Sequence, residues 1–463
     1  MEQTSFLQTL EEMTGQFVGL VWGVPLVVLL VGSGVFFTLF FGFPQLRFFK
    51  HAIDITFGKY DKPEDKGEIS HFQALTAALS ATIGLGNIAG VAIAIATGGP
   101  GAVFWLWVAG FIGMCTKFTE VTLSLKYRTI SAKGTVHGGP MFVLKNAFPG
   151  KAFFGALAWI YALFVILSSF GAGNMFQSNQ MASILNTTLG MPTWVTGLVF
   201  SFLAFLILVG GIKRIGSVTE KLVPFMVGIY LFGAIWILVS RYDVIPSMFA
   251  QIFHDAFSGT AAVGGFAGAA FKEVIIMGIR RATFSNEAGM GSAAMAHSAA
   301  KSTPIQEGIV ALLEPFVDTI IVCTITALAL LATGIWSSGT ATGSELTAQA
   351  FEMVMGGTGR WIVTATVTLF AFSTLISWSY YGEQGVTFIF GEKWIPTYRY
   401  IFVVFIFIGA ISQLNVVLNL SDAVYGLLAI PNMIACYMLL PKVKEELKTY
   451  TAKLKSGEIK PTK

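Results

Sequence analysis

A chain of 463 residues with 54% hydrophobic and 12% charged side chains, a mean hydropathy of +0.71 and a net charge of +4 is no soluble globular domain, in which about 25% of residues are charged. Its solvent is a bilayer, and its length accommodates roughly ten to twelve helical spans of about 20 apolar residues each. The three cysteines, Cys115, Cys323 and Cys436, lie in separate apolar runs without CxxC or histidine spacing, so neither a disulfide framework nor a metal site is indicated.

From the N-terminus, residues 1–16 carry three glutamates and no Lys or Arg, unlike a signal peptide, so the first apolar run is read as a span. Charge-free runs predict eleven transmembrane helices near 17–42, 72–97, 101–125, 152–178, 192–212, 217–240, 264–290, 306–334, 361–390, 397–414 and 418–440. These runs are too long and too solidly apolar for barrel strands of about ten alternating residues, so the class is all-α. Residues 134–148 read as an inside loop with a short helix, 244–262 as an outside amphipathic piece and 337–358 as an outside cap. The expected organisation is one membrane domain: an extra N-terminal helix and inside loop over 1–71, a first repeat over 72–240, a second over 241–440 and a basic cytoplasmic tail over 441–463.

Sidedness follows from the loops. With the N-terminus outside, the inside loops and tail hold 25 Lys and Arg residues and the outside connections only Arg241 and Arg360. Dropping one helix would invert everything after it, so the positive-inside rule supports an outside N-terminus and a cytoplasmic C-terminus in the cell membrane. The same rule accounts for the net charge without a nucleic-acid partner, and no obligate protein partner is indicated.

The second span places Gly84, Gly86 and Asn87 in a stretch uncharged from Phe72 to Thr116. Close helix packing is the simpler reading of the glycines alone. Against it, Gly-Leu-Gly-Asn-Ile-Ala at 84–89 matches Gly-Met-Gly-Ser-Ala-Ala at 289–294 in the seventh span, five spans later. Five is odd, so the second half sits inverted. Paired discontinuous helices of that kind form substrate and ion sites in secondary transporters, with half-helix N-termini holding anionic groups and freed carbonyls holding cations. The seventh span breaks either at Gly278 or at Gly289. Length favours Met277–Ile279, which puts Arg280 and Arg281 in the inner water.

Among other intramembrane polar residues, Asn174 and Gln177 lie one turn apart and either line a cavity or cap a helix end. Phe271, Met277 and Trp378 either wall a small pocket or simply pack. Lys117 and Glu120 are expected to pair with each other. Glu314 and Asp318 share one face of the eighth span, roughly 12 and 18 Å deep by helical rise. Carboxylates at that depth are expensive, which makes both candidates for ion binding, proton uptake or pairing with Arg280 or Arg281. Glu287 is a similar candidate, or half of a gating salt bridge. None of the five histidines has metal spacing.

"GGPGAVFWLWVAGFIG" at 98–113 and "RRATFSNEAGMGSAAMAHSAA" at 280–300 closely resemble signature segments of the alanine/glycine:cation symporter family, the sodium:alanine symporters. One departure is Leu106, where many members carry Met, an isosteric swap. The resemblance implies the amino acid/polyamine/cation superfamily architecture, a leucine-transporter-like fold of five plus five inverted helices with discontinuous second and seventh spans. It also implies a substrate site in which Leu85 and Gly86 amides bond the carboxylate, and carbonyls of Thr82 and around Met277 and Gly278 take the ammonium; Ile83 and Gly84 complete that segment. The sodium ligands it implies are carbonyls of Ser80 and Ile83 with hydroxyls of Ser373 and Thr374, an all-oxygen set suited to a hard cation, and a second ion near Asn87 and Thr82.

The leading reading is therefore a non-enzymatic secondary symporter with Na+ as coupling ion and small neutral amino acids as substrates: L-alanine, glycine and D-alanine. Proton coupling through Glu314 or Asp318 is the alternative within that class, and a gated channel the alternative outside it. No GxxxxGK[ST] loop is present to power a pump. An intramembrane hydrolase would need a Ser–His or paired-aspartate constellation, and none stands out.

Overall fold

The computed structural model describes residues 2–132, 134–258, 267–337, 343–412 and 422–462, with 339 and 419. It is helical apart from a two-strand hairpin pairing Thr129–Ile130 with Val136–His137. Among the described residues eight helices are long and apolar enough to cross a bilayer, nine when His71–Thr82 and Gly86–Gly98 count as one bent span.

The first four spans are found at Leu10–Phe41, His71–Gly98, Gly101–Lys126 and Ala152–Leu189. The sixth is Gly211–Ser240, the eighth Pro304–Thr333, and the last three are Gly357–Phe390, Glu392–Ile411 and Asp422–Ser456. The fifth and seventh positions are also helical, at Thr193–Leu208 and Ala267–Asn286. The former has only 16 residues, and the latter carries Lys272, Glu273, Arg280 and Arg281. Short helices occupy the connections as expected, over Pro140–Ala147, Ile245–Ser258 and Gly343–Met355.

Polarity runs inside out relative to a soluble protein. Trp159, Trp194, Phe202, Phe232 and Trp236 are exposed, while Asn87, Lys117, Glu314 and Asp318 are buried. Apolar side chains on the outside cost nothing against hydrocarbon, whereas polar groups must find partners within the bundle.

The third span packs against Ala267–Asn286 and Pro304–Ala311, and the ninth against both halves of the fourth. Among the described residues three spans contain π-helical turns, at Gly86–Gly90, Gly171–Met175 and Phe316–Cys323. Such turns shift the hydrogen-bond ladder by one residue and often mark functional sites.

Candidate functional site

The second span starts on a capping box: Gln73 N–H donates to Ser70 Oγ and Ser70 N–H to Gln73 Oε1, both at 3.2 Å. Its first helix ends at Thr82, and Ile83 leaves the helical region with ψ 78°. Gly84 N–H turns back to the Thr82 carbonyl at 2.8 Å and to Asn87 Oδ1 at 3.0 Å. The chain resumes as a π turn at Gly86, bent by 50° from the first segment. Among the described residues neither the Leu85 nor the Gly86 amide donates a hydrogen bond.

A Cβ on Gly84 would sit 2.5 Å from Thr374 Oγ1, and one on Gly86 would sit 3.0 Å from Ser285 Cα, so each permits a close approach at a place where the helix is also interrupted. The Asn87 amide group donates to the Asp318 carbonyl at 3.0 Å and to Asp318 Oδ1 at 2.7 Å. Asp318 also accepts from Ser285 at 3.1 Å and Thr319 at 2.7 Å. The interruption is thus held from two sides by polar side chains.

Ser80, one turn before the interruption, meets the ninth span. Its carbonyl accepts from Thr374 Oγ1 at 3.0 Å and Ser373 Oγ at 3.3 Å, and its hydroxyl donates to the Ser373 carbonyl at 2.8 Å. Two hydroxyls thus gather on one carbonyl oxygen, and these three neutral oxygens are of the type a hard monovalent cation takes once the two hydroxyl protons rotate outward. Thr82 Oγ1 is instead bonded back to the Ala78 carbonyl of its own helix at 3.1 Å.

The seventh span corrects the expectation. The helix runs unbroken through Met277, Gly278 and Ile279 and ends at Asn286. Glu287, Gly289 and Gly291 then take φ of 57°, 95° and 75°, and helix resumes at Ala294. Left-handed backbone at two glycines is cheap, which is why the change of direction falls there. Gly278 serves packing: a Cβ would lie 2.8 Å from Trp105 Cβ. Arg280 and Arg281 accordingly lie within the helix. They pair with Asp422 of the last span, Arg281 at 3.4 Å, and not with Glu314 or Asp318.

Between the two interruptions lies a small cavity of about 10 Å3. Thr82, Gly84, Gly86, Gln177, Glu287 and Trp378 line it, together with Ala81, Ala172, Phe284 and Tyr425, which sequence reasoning missed. Phe284 stands inside the "RRATFSN" motif, so a signal existed; Tyr425 carries none. Gln177 donates to the Ala172 carbonyl at 3.1 Å, leaving its Oε1 buried and unpartnered. Glu287 accepts from Ser292 and lines the cavity with Trp378; no salt bridge to Glu287 occurs among the described residues. Asn174 donates to the Phe402 carbonyl at 2.7 Å and so ties the fourth span to the tenth. The Phe271 side chain lies outside the described residues.

The buried charges pair differently from the local spacing. Lys117 meets Glu314 at 3.2 Å, both fully buried. Glu120 instead accepts from Gly289 N–H at 2.9 Å and Asn432 at 2.6 Å, fixing the seventh-span interruption. Beyond Glu314 a chain of contacts leads outward: His297 at 3.5 Å, then Glu307 at 2.7 Å, His71 at 2.5 Å and partly exposed Asp61 at 3.4 Å.

The sodium:alanine symporter family model matches residues 7–463. The sodium/alanine symporter AgcS of Methanococcus maripaludis is 42% identical over 436 residues, covering 93% of this chain and 95% of that protein. The probable sodium/glutamine symporter GlnT of Bacillus subtilis is 33% identical over 456 residues, covering 97% and 93%. Among solved structures, MhsT in complex with L-phenylalanine aligns with a TM-score of 0.56 at 16% identity, over 83% of this chain and 99% of that one; this likeness concerns the fold.

Proposed function

The chain belongs to the sodium:alanine symporter family, and from that premise we propose that it couples sodium influx to uptake of L-alanine, glycine and D-alanine by alternating access. The observation that carries the site assignment is the pair of undonated amides at Leu85 and Gly86 beside this small cavity. Such amides at the start of a helical segment suit a carboxylate. The substrate ammonium then bonds the Thr82 carbonyl and the unpartnered Gln177 Oε1. Trp378, Phe284 and Tyr425 line the same cavity, whose about 10 Å3 holds no more than a water molecule, so in this reading substrate enters as these walls move apart.

Sodium is held by the Ser80 carbonyl and the Ser373 and Thr374 hydroxyls, with the Ile83 carbonyl beside them. In that position the ion bridges the second and ninth spans next to the substrate segment, so binding one cargo orders the site of the other. Arg280 and Arg281 pair with Asp422, and Arg281 lies over the ring of Phe284, which lines the cavity. The full architecture in this reading is eleven spans, an N-terminal helix followed by inverted repeats over 72–240 and 241–440, with the N-terminus outside the cell membrane and the C-terminus in the cytoplasm.

Radiolabelled alanine uptake into proteoliposomes tests the function. A sodium gradient alone should drive accumulation. Accumulation driven equally by a pH gradient without sodium would favour the proton-coupled alternative, and non-saturable flux that follows only the alanine gradient would favour a channel.

A further inference from the structure

Away from the cavity, the end of the first span and the last helix flank a groove of about 420 Å3, whose lining includes Phe40, Phe41, Arg47, Lys444, Lys448 and Lys455. The three lysines fall at intervals of four and seven on the helix Ala429–Ser456, so they share one face. The acids of that tail are engaged elsewhere: Glu445 pairs with Lys442 at 3.4 Å, Glu446 with Lys126 and Glu458 with Lys453 at 2.7 Å. Among the described residues none of the four groove cations has a carboxylate within ion-pair distance. Charge has been sorted along the helix, and the groove keeps only positive groups.

The floor is apolar. Phe40 and Phe41 form the last turn of the first span, where hydrocarbon gives way to headgroups. Lys444 Nζ stands 4.2 Å from the Phe40 ring centre, and Arg47 donates to the Phe41 and Gly42 carbonyls at 3.3 Å, holding its guanidinium at the rim. Cations over an aromatic floor at that depth match an amphiphile with an anionic head, and basic pockets at helix ends are known to select such lipids. We propose that this groove binds one anionic phospholipid, its phosphate among Arg47, Lys444, Lys448 and Lys455 and an acyl chain against Phe40 and Phe41.

Native mass spectrometry of the full chain in detergent, titrated with phosphatidylglycerol, phosphatidylcholine or inorganic phosphate, tests it. The wild type should retain one phosphatidylglycerol in preference to phosphatidylcholine, and the triple variant K444Q/K448Q/K455Q should weaken that retention about tenfold. The triple variant K213Q/K221Q/K393Q, which removes the same charge elsewhere, should leave it unchanged. All six lysines are exposed, and an unaltered melting temperature confirms folding. Equal retention of phosphatidylcholine, equal losses in both triple variants, or complete displacement by millimolar inorganic phosphate would each overturn the proposal.

Discussion

Single residues divide into those whose partner is near in sequence and those whose partner is not. Ser373 and Thr374 resemble ordinary back-bonded hydroxyls in the sequence, and Ser373 does bond the Phe370 carbonyl at 2.9 Å; their meeting with Ser80 spans almost 300 positions. Thr374→Ala should raise the sodium concentration for half-maximal uptake about tenfold, since it removes one of the few oxygens proposed to ligate the ion, while moving the melting temperature little. Unchanged sodium activation in the folded variant would remove Thr374 from the ion site. Lys117 illustrates the limit of local spacing. Glu120 is its neighbour on the helix, yet Gly289 and Asn432 claim that carboxylate and Lys117 meets Glu314 of another span. Removing one partner of a buried pair strands the other charge, so Glu314→Gln should destabilise by about 3–5 kcal/mol. Adding Lys117→Met should restore much of that loss. Equal denaturant midpoints for wild type and Glu314→Gln would contradict the pairing.

At the scale of elements, helices were legible because each needs only a long apolar run, and the interruption of the second span because Gly-Leu-Gly-Asn concentrates poor helix formers. The seventh was misplaced for a physical reason. Length alone favours Gly278, but that glycine is required by the closeness of the Ala102 carbonyl and Trp105, whereas the turn follows the left-handed residues from Glu287 to Gly291. A glycine that permits contact and a glycine that permits positive φ look identical in sequence. The π turns at Gly171–Met175 and Phe316–Cys323 left no readable mark, because one extra residue per turn barely alters apolar periodicity. Gly84→Ala tests the second-span element. Its Cβ would force the Thr374 hydroxyl aside, so sodium-dependent alanine uptake should fall by about two orders of magnitude, the scale on which a displacement of about 1 Å can act. Near-normal uptake would show that the close approach is dispensable.

For the whole molecule, the proposed topology rests on the charge pattern of the loops, and one correction to that charge count follows from the structure. Arg280 and Arg281 belong to a helix paired with Asp422, so they leave the inside count, which becomes 23 against two. The asymmetry survives because it is spread over several loops and the tail. Impermeant maleimide labelling of single-cysteine variants, made after replacing Cys115, Cys323 and Cys436, should mark Arg241→Cys in intact cells and Lys455→Cys only after permeabilisation; the reverse pattern would invert the topology. The claim on which function rests is narrower: the segment Thr82–Asn87 grips substrate through its main chain beside a sodium ion shared with the ninth span. An experimental density map of the protein with alanine and sodium bound tests this most directly. It should place the alanine carboxylate on the Leu85 and Gly86 amides and the ion among Ser80, Ser373 and Thr374, whereas alanine resolved elsewhere, with both amides still undonated, would contradict the account.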